Sequence, residues 1–301
     1  MPQITEVLKN RITSSSFRPY TSATYQRYLD NHIAPFFGDA LCSQLDNETV
    51  QSFAGRLVES SMSPSTAREI IRFLKSGLAG HYPPGVFDVG LEKKPRTEIR
   101  ALSASEQKAL EKAARQSGWP NRHCVFMCLY TGIRVGELCG LRFEDISFAR
   151  REFSVQRTVQ RVRNTDTGSA SKTAVELLPA CGHSNRRIPL PGFLLEMLGE
   201  LRQSAGGKYV ISVGGGIAEP RALQYPFKKL LREAGVGGAS FQALRHTFAV
   251  RALENGIDAT LLSKILGHAS PFLTYSRYAQ LVSEEGMARR SLESMALAMQ
   301  G

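Results

Sequence analysis

Thr131-Gly132-Ile133-Arg134-Val135-Gly136-Glu137-Leu138 is the stretch on which the reading of the fold turns. It interrupts residues 104–142, which otherwise read as mostly helical, and its break at Thr131-Gly132 leaves an arginine just past a glycine turn. Upstream, Leu102-Ser103-Ala104-Ser105-Glu106 is a capping box, with Ser103 at the cap and Glu106 three residues on, so a domain opens at residue 103. Before it, Tyr82-Pro83-Pro84-Gly85 and Glu92-Lys93-Lys94-Pro95-Arg96 carry prolines and charge with little periodicity. That is the composition of a linker, which we draw over 93–102.

Residues 1–92 read as a small helical unit. Thr21 or Ser22 is expected to cap a helix carrying Tyr25, Tyr28, Leu29 and Ile33 and ending by Pro35 and Gly38. Asp46 opens a second helix with Val50, Phe53 and Leu57. Ser63-Pro64, a cap followed by proline at the first helical position, opens a third with Ile70, Ile71, Phe73 and Leu74. Downstream of residue 142 the period changes. Phe153, Val155 and Val159 fall on one face of a two-residue repeat, with Arg157 the polar exception and Ser154, Gln156, Thr158 and Gln160 opposite, which predicts one half-buried strand. Val175, Leu177 and Leu178 suggest a second strand, and Ile188-Pro189-Leu190 a third. Helix returns after Pro191, and residues 241–299 read as several helices. Gly214-Gly215-Gly216 lacks the GK[ST] ending of a phosphate loop and reads as a turn. The expected fold is mainly α, with a helical domain over 1–92 and an α+β domain over 103–301 that holds a small antiparallel sheet.

Composition narrows the function. The 301 residues are 42% hydrophobic and 22% charged, an ordinary globular mix. No stretch approaches a bilayer span, and the N-terminus lacks the pattern of a signal peptide. The expectation is a soluble, cytoplasmic protein. Lys plus Arg number 38 against 27 Asp plus Glu, a net charge of +11. Residues 1–100 carry +2 of this and residues 101–301 carry +9, including the run Arg150, Arg151, Arg157, Arg161 and Arg163. Such an excess favours a polyanionic partner, nucleic acid before membrane. The five cysteines are scattered and odd in number, unlike a disulfide framework, and Cys181-Gly182-His183 has no second pair to complete a metal site.

Three segments hold the chemistry: the opening stretch; Leu244-Arg245-His246-Thr247-Phe248-Ala249; and Leu266-Gly267-His268 followed by Thr274-Tyr275-Ser276-Arg277-Tyr278-Ala279. Singly, each has a plain structural reading. Arg134 and Glu137 make an i, i+3 surface pair, Arg245 and His246 a helix-surface pair, His268 a cation at a helix C-terminus, and Tyr278 a packing aromatic.

Together and in this order they resemble the tyrosine recombinase, or phage integrase, family, and the resemblance covers nearly the whole chain. T-G-x-R-x-x-E-L, L-R-H-T-F-A and L-G-H are intact, and the ten-residue step from His268 to Tyr278 resembles that of integrases from bacterial mobile elements. Thr24-Tyr25, Tyr28, His32-Ile33 and Phe37-Gly38 match the pattern of the family's N-terminal core-binding domain, which makes 103–301 the catalytic domain. The resemblance implies site-specific DNA recombination without metal, ATP or cofactor. Tyr278 attacks the scissile phosphorus to give a 3′-phosphotyrosyl bond and a 5′-hydroxyl, with Tyr275 as a rival nucleophile. Arg134 and Arg245 clamp the non-bridging oxygens, His268 is a third donor, and Glu137 orients Arg134 or nearby backbone.

Two positions depart from the family. Gln242 stands where it usually has His; glutamine can contact phosphate but cannot exchange a proton near neutral pH. Ala180 falls where a hairpin lysine usually protonates the leaving oxygen, a role worth roughly 10²–10⁴-fold, with Lys172 as a substitute if the hairpin is shifted. An active recombinase is therefore set beside a DNA-binding member impaired in cutting and, behind both, a type IB-like topoisomerase. The resemblance further implies double-stranded DNA clamped between the domains, with Lys93, Lys94, Arg96, Arg100 and Arg186 as DNA contacts. It implies a homotetramer when synapsed on DNA, a monomer when free, and no membrane partner. Leu292, Met295, Ala296 and Met299 form one apolar helical stripe, for exchange between subunits or for packing on its own subunit.

Overall fold

Three of the expected helix starts are held by the side chains named for them. The computed structural model describes residues 2–82, 86–87, 98–118, 120–163, 171, 173–180, 182–282, and 292, 293, 295, 296 and 299. Asp46 accepts the Thr49 N–H at 2.7 Å, Ser63 the Thr66 N–H at 3.2 Å, and Ser103 the Glu106 N–H at 3.2 Å. Each satisfies an amide that has no partner inside its own helix. The chain forms two compact units, residues 1–97 with 162–174, and residues 98–161 with 175–301.

The first unit contains α1 (Ile4–Ser14), α2 (Pro19–Tyr28), α3 (Ala34–Phe37), α4 (Asn47–Glu59) and α5 (Pro64–Gly77). Helix α1, which the sequence reading did not foresee, buries Ile4, Leu8 and Ile12 at i, i+4 and i+8. The expected cap at Thr21 or Ser22 is corrected: α2 starts at Pro19 with Arg18 as N-cap and no side-chain cap bond. Proline needs no amide partner at the first helical position, so the local sequence starts the helix earlier than the hydroxyls would. The helical run passes through Pro35 and ends, as expected, at Gly38. Leu29–Ile33 widens into a π turn, with the Ala34 N–H on the Leu29 carbonyl. The wider turn accommodates a proline ring that would collide with an α-helical carbonyl, and α3 runs on to Gly38. Phe36, Phe37 and Phe53 meet pairwise at 4.9–5.0 Å, and Tyr25 stacks on Phe73 at 4.2 Å.

The second unit opens with α6 (Ala104–Gln116), α7 (Asn121–Thr131) and α8 (Val135–Cys139). Strands β1 (Ile146–Ser147), β2 (Glu152–Val155), β3 (Arg157–Arg163), β4 (Thr173–Pro179) and β5 (Arg186–Pro189) follow, with Val162, Arg163, Thr173 and Ala174 at the ends of β3 and β4 grouped with the first unit. After α9 (Gly192–Ser204) comes the hairpin β6 (Ser212–Val213) and β7 (Gly216–Ile217), turned by Gly214 and Gly215. Helices α10 (Gln224–Glu233), α11 (Phe241–Glu254), α12 (Ala259–Leu266) and α13 (Pro271–Tyr278) complete it. The single strand expected over 153–160 is two. β2 lies in a three-stranded sheet of order β1-β2-β5, with Phe153 opposite Ile188, while β3 pairs with β4. The chain changes sheets at Gln156, whose carbonyl accepts the Ala180 N–H at 2.7 Å. The polar exception Arg157 is satisfied there by Asp145 at 2.7 Å. One apolar core lies beneath these sheets and α6–α10, built on Phe126, Phe153, Leu198 and Leu230.

Of the expected linker, residues 93–97 lie outside the described residues. Residues 98–102 belong to the second unit: the Leu102 N–H donates to Thr247 Oγ1 at 2.8 Å, and Ile99 and Ala101 pack against the cluster around Ala249 and Leu266. Leu292, Met295, Ala296 and Met299 are helical and exposed, so among the described residues nothing of the chain covers their stripe.

Candidate active site

Two helices end on left-handed glycines, and their C-termini meet one arginine. α7 ends at Gly132 (φ +63°) and α12 at Gly267 (φ +66°). Both positions lack space as well as ordinary φ. A Cβ on Gly132 would come within 2.5 Å of the Phe248 ring, and one on Gly267 within 2.7 Å of the His183 carbonyl oxygen. Arg245, on α11 and 1% exposed, donates through Nη1 to the Gly132 carbonyl and through Nη2 to the Leu266 carbonyl, both at 2.6 Å. Helix C-termini concentrate unpaired carbonyls and partial negative charge, which suits a buried cation. Burial, with Arg134 and Arg186 nearby, pulls the Arg245 pKa down to about 9, so it stays protonated near neutral pH.

Glu137, on α8, organises the other arginines. Its carboxylate accepts the Arg134 backbone N–H at 3.1 Å and Arg134 Nη1 at 2.8 Å. Arg186, on β5, binds it bidentately at 3.0 and 2.9 Å. Burial alone would push the Glu137 carboxyl up, but the Arg186 and Arg134 guanidinia hold it below the usual carboxylate range. Arg134 remains partly exposed and reaches the Gly267 carbonyl at 3.5 Å. Three guanidinia thus face one carboxylate, and the imbalance favours an anion.

His268 bridges Arg245 and α13. Its Nδ1 meets Thr274 Oγ1 at 2.7 Å and its Nε2 meets Arg245 Nη2 at 3.2 Å. The Tyr278 ring stacks on His268 with centroids 6.5 Å apart, and its hydroxyl bonds His246 Nδ1 at 2.8 Å. Tyr278 is fully buried, and burial raises its pKa against the lowering pull of Arg245, Arg277 and Arg134. Burial and the neighbouring arginines drop His246 and His268 to about 4, so both are neutral at pH 7. Among the described residues no cluster of His, Cys, Asp and Glu is placed to hold a metal ion.

Arg134, Arg245, His268 and Tyr278, widely separated in sequence, are brought together. Tyr275 is 56% exposed, whereas Tyr278 is fully buried. Gln242 is exposed on the first turn of α11, and Ala180 follows β4, partly buried against the core. Two of the expected DNA contacts are engaged within the protein. Arg186 is buried, its Nε on the Ile265 carbonyl at 2.6 Å, so it positions Glu137 and α12 rather than presenting charge to solvent. The Arg100 guanidinium is engaged by Glu106 and the Gly237 carbonyl. Lys93, Lys94, Arg96, Lys172 and Cys181 lie outside the described residues. Sequence reasoning missed His246 and Thr274 as partners in the site. For Thr274 the signal was present: it precedes Tyr278 by four residues, on the same helix face.

The sequence pattern of the phage integrase family matches residues 100–285, the span that contains every residue of this constellation. The chain belongs to that family, the tyrosine recombinases. Among its relatives is a XerC-like tyrosine recombinase of Caldanaerobacter subterraneus subsp. tengcongensis, 27% identical over 91% of this chain and 77% of the relative. The fold is that of the Tn1549 transposon integrase solved with transposon right end DNA: TM-score 0.78, 18% identity, covering 98% of this chain and 99% of the other. A lambda integrase tetramer bound to a Holliday junction matches at TM-score 0.63 and 19% identity, over 91% of this chain and 76% of the other.

Proposed function

We propose that this chain is a site-specific recombinase that cuts and rejoins duplex DNA through a phosphotyrosyl bond to Tyr278. The observation that carries the reading is the meeting of Tyr278 with an under-neutralised arginine cluster. A scissile phosphate beside Arg134, Arg245 and His268 would supply the missing negative charge, and its trigonal-bipyramidal transition state would gain most from the planar donors of the two arginines. Glu137 and Arg186 hold those donors in place before DNA arrives. His268 is neutral in the free site, and a phosphate among its neighbours raises its affinity for a proton, turning Nε2 into a donor.

DNA is the expected partner, with Lys93, Lys94 and Arg96 as backbone contacts. Assembly into a tetramer on paired sites is supported by the uncovered stripe of Leu292, Met295 and Met299 and by the tetrameric relative. A second reading, a site-binding member that barely cuts, is favoured by Ala180 and Gln242, which supply neither an acid nor a base. Lys172 is the substitute acid in the first reading.

Covalent trapping separates the two. DNA from the ends of the encoding element, nicked near the crossover, should yield a denaturant-resistant protein–DNA adduct that Tyr278→Phe abolishes and Tyr275→Phe leaves. Loss with Lys172→Ala would identify the acid. A parent that binds without forming an adduct, while Ala180→Lys forms one, would establish the second reading.

A further inference from the structure

Tyr278 must lose a proton to attack phosphorus, and its buried phenol holds that proton more tightly than a free tyrosine does. Gln242 cannot take it. Two side chains engage the Tyr278 hydroxyl, His246 Nδ1 at 2.8 Å and Arg277, and of the two the neutral imidazole is the one that can accept a proton. Gln242 and His246 stand four apart on α11, so they share a helix face one turn apart.

Resting on the Tyr278 reading above, we propose that His246 is the proton acceptor for the Tyr278 hydroxyl during DNA cleavage, doing one turn further along α11 what Gln242 cannot. The hydroxyl donates to Nδ1 in the tautomer that carries its hydrogen on Nε2. As the Tyr278 Oη–P bond forms, the phenol proton passes to Nδ1 and gives an imidazolium. The P–O5′ bond breaks, and the leaving oxygen takes its proton from the acid of the reading above. On rejoining, the 5′-hydroxyl gives its proton back to that acid's conjugate base as it attacks phosphorus, the Tyr278 Oη–P bond breaks, and the imidazolium returns its proton to the departing phenolate.

The surroundings suit a base that is empty at rest and not trapped once charged. The charged groups acting on His246 are Arg277, from α13, and Arg245, on its own helix; Tyr278 faces it from α13. α7 and α12, also packed on α11, bring no further titratable group to bear on it. Half-burial and the two arginines keep it unprotonated at neutral pH and favour return of the proton.

The test is single-turnover adduct formation on nicked DNA, with a gel shift on the same samples to show DNA binding. His246→Asn places an amide near Nδ1 and keeps a hydrogen bond without a base. It should bind DNA as the parent does and form adduct roughly 10²–10⁴-fold more slowly near neutral pH. Its rate should recover about tenfold per pH unit, as hydroxide takes over the phenol proton. A 5′-bridging phosphorothiolate, whose sulfur leaves without an acid, should not rescue it. Rescue by that substrate would mean that His246 serves the leaving oxygen, and adduct formation at the parental rate would mean that it serves no proton; either overturns the proposal. The parent alone gives an independent check. Its rate should be level between about pH 6 and pH 8, and a rate climbing with hydroxide across that range also overturns it. A Tyr278-dependent parental adduct with an unaffected His246→Asn defeats this inference alone, whereas a parent that forms no Tyr278-dependent adduct defeats the reading beneath it.

Discussion

The two units bury different things. In the first, the buried side chains are apolar, from Ile4 through Phe53 to Leu78. In the second, the core also encloses Glu137, Arg186, Arg245, Thr247 and Thr274, and every buried polar or charged side chain among the described residues belongs to it. A core like the first is stabilised by packing, so its work is done on its surface. A core like the second accepts desolvation of charges in exchange for donors fixed in direction before a ligand arrives. The first unit is a platform and the second an instrument, and their sensitivities to substitution should differ accordingly.

The sharpest way to break that contrast is to damage each core by a similar amount. Glu137→Ala strands Arg186 without its partner and should destabilise the second unit by about 3–5 kcal/mol. Phe53→Ala should destabilise the first by about 3–5 kcal/mol through the cavity it leaves. Urea unfolding followed within each unit measures both. Adduct formation by protein already bound to nicked DNA should fail with Glu137→Ala and persist with Phe53→Ala; failure of both would erase the distinction.

Next in size is Arg245→Lys. An ammonium cannot bond the Gly132 and Leu266 carbonyls and still offer the phosphate a planar fork, so single-turnover cleavage should fall about 10²–10³-fold. A smaller effect is expected of Thr274→Val, which keeps the shape and removes the partner of His268 Nδ1. A loss of about 1–3 kcal/mol in stability should accompany slower cleavage. The response to acid separates the two units in a different way. His123, His246 and His268 are held down to about 4 in the second unit by burial first, so the unfolded chain takes up protons that the folded chain refuses. Stability from these groups is full above about pH 6.5 and declines as pH falls toward 4. The first unit holds His32, also lowered by burial. A melting temperature followed from pH 7 to about pH 4.5 should fall more for the second unit than for the first.

The sequence reading succeeded where chemistry is local. Asp46, Ser63 and Ser103 cap helices because each needs only an amide two or three residues away. It failed where a neighbour in space decides. Arg18-Pro19 outcompeted Thr21 and Ser22 as a start. The π turn before Pro35 left no compositional trace. The strand through residues 153–160 looked continuous because its alternation continues across Gln156, although the pairing partner changes there from β5 to β4. In the site, the family motifs supplied Arg134, Arg245, His268 and Tyr278. The pairing of Arg186 with Glu137 has no local signal, because the two lie forty-nine residues apart. The bond from His246 to Tyr278 likewise spans thirty-two residues, and nothing near His246 in sequence foretells it.

The grip of Arg245 on two helix ends also sets an order of events in time. One carbonyl it holds lies 113 residues earlier in the chain and the other 21 residues later. Contacts of such span form after local helices, because the intervening loop must close first. During synthesis the guanidinium leaves the ribosome before Leu266, His268 and Tyr278 have followed. An unfinished chain therefore holds neither Tyr278 nor a completed cradle around Arg245, and the constellation assembles only when the last described helices dock.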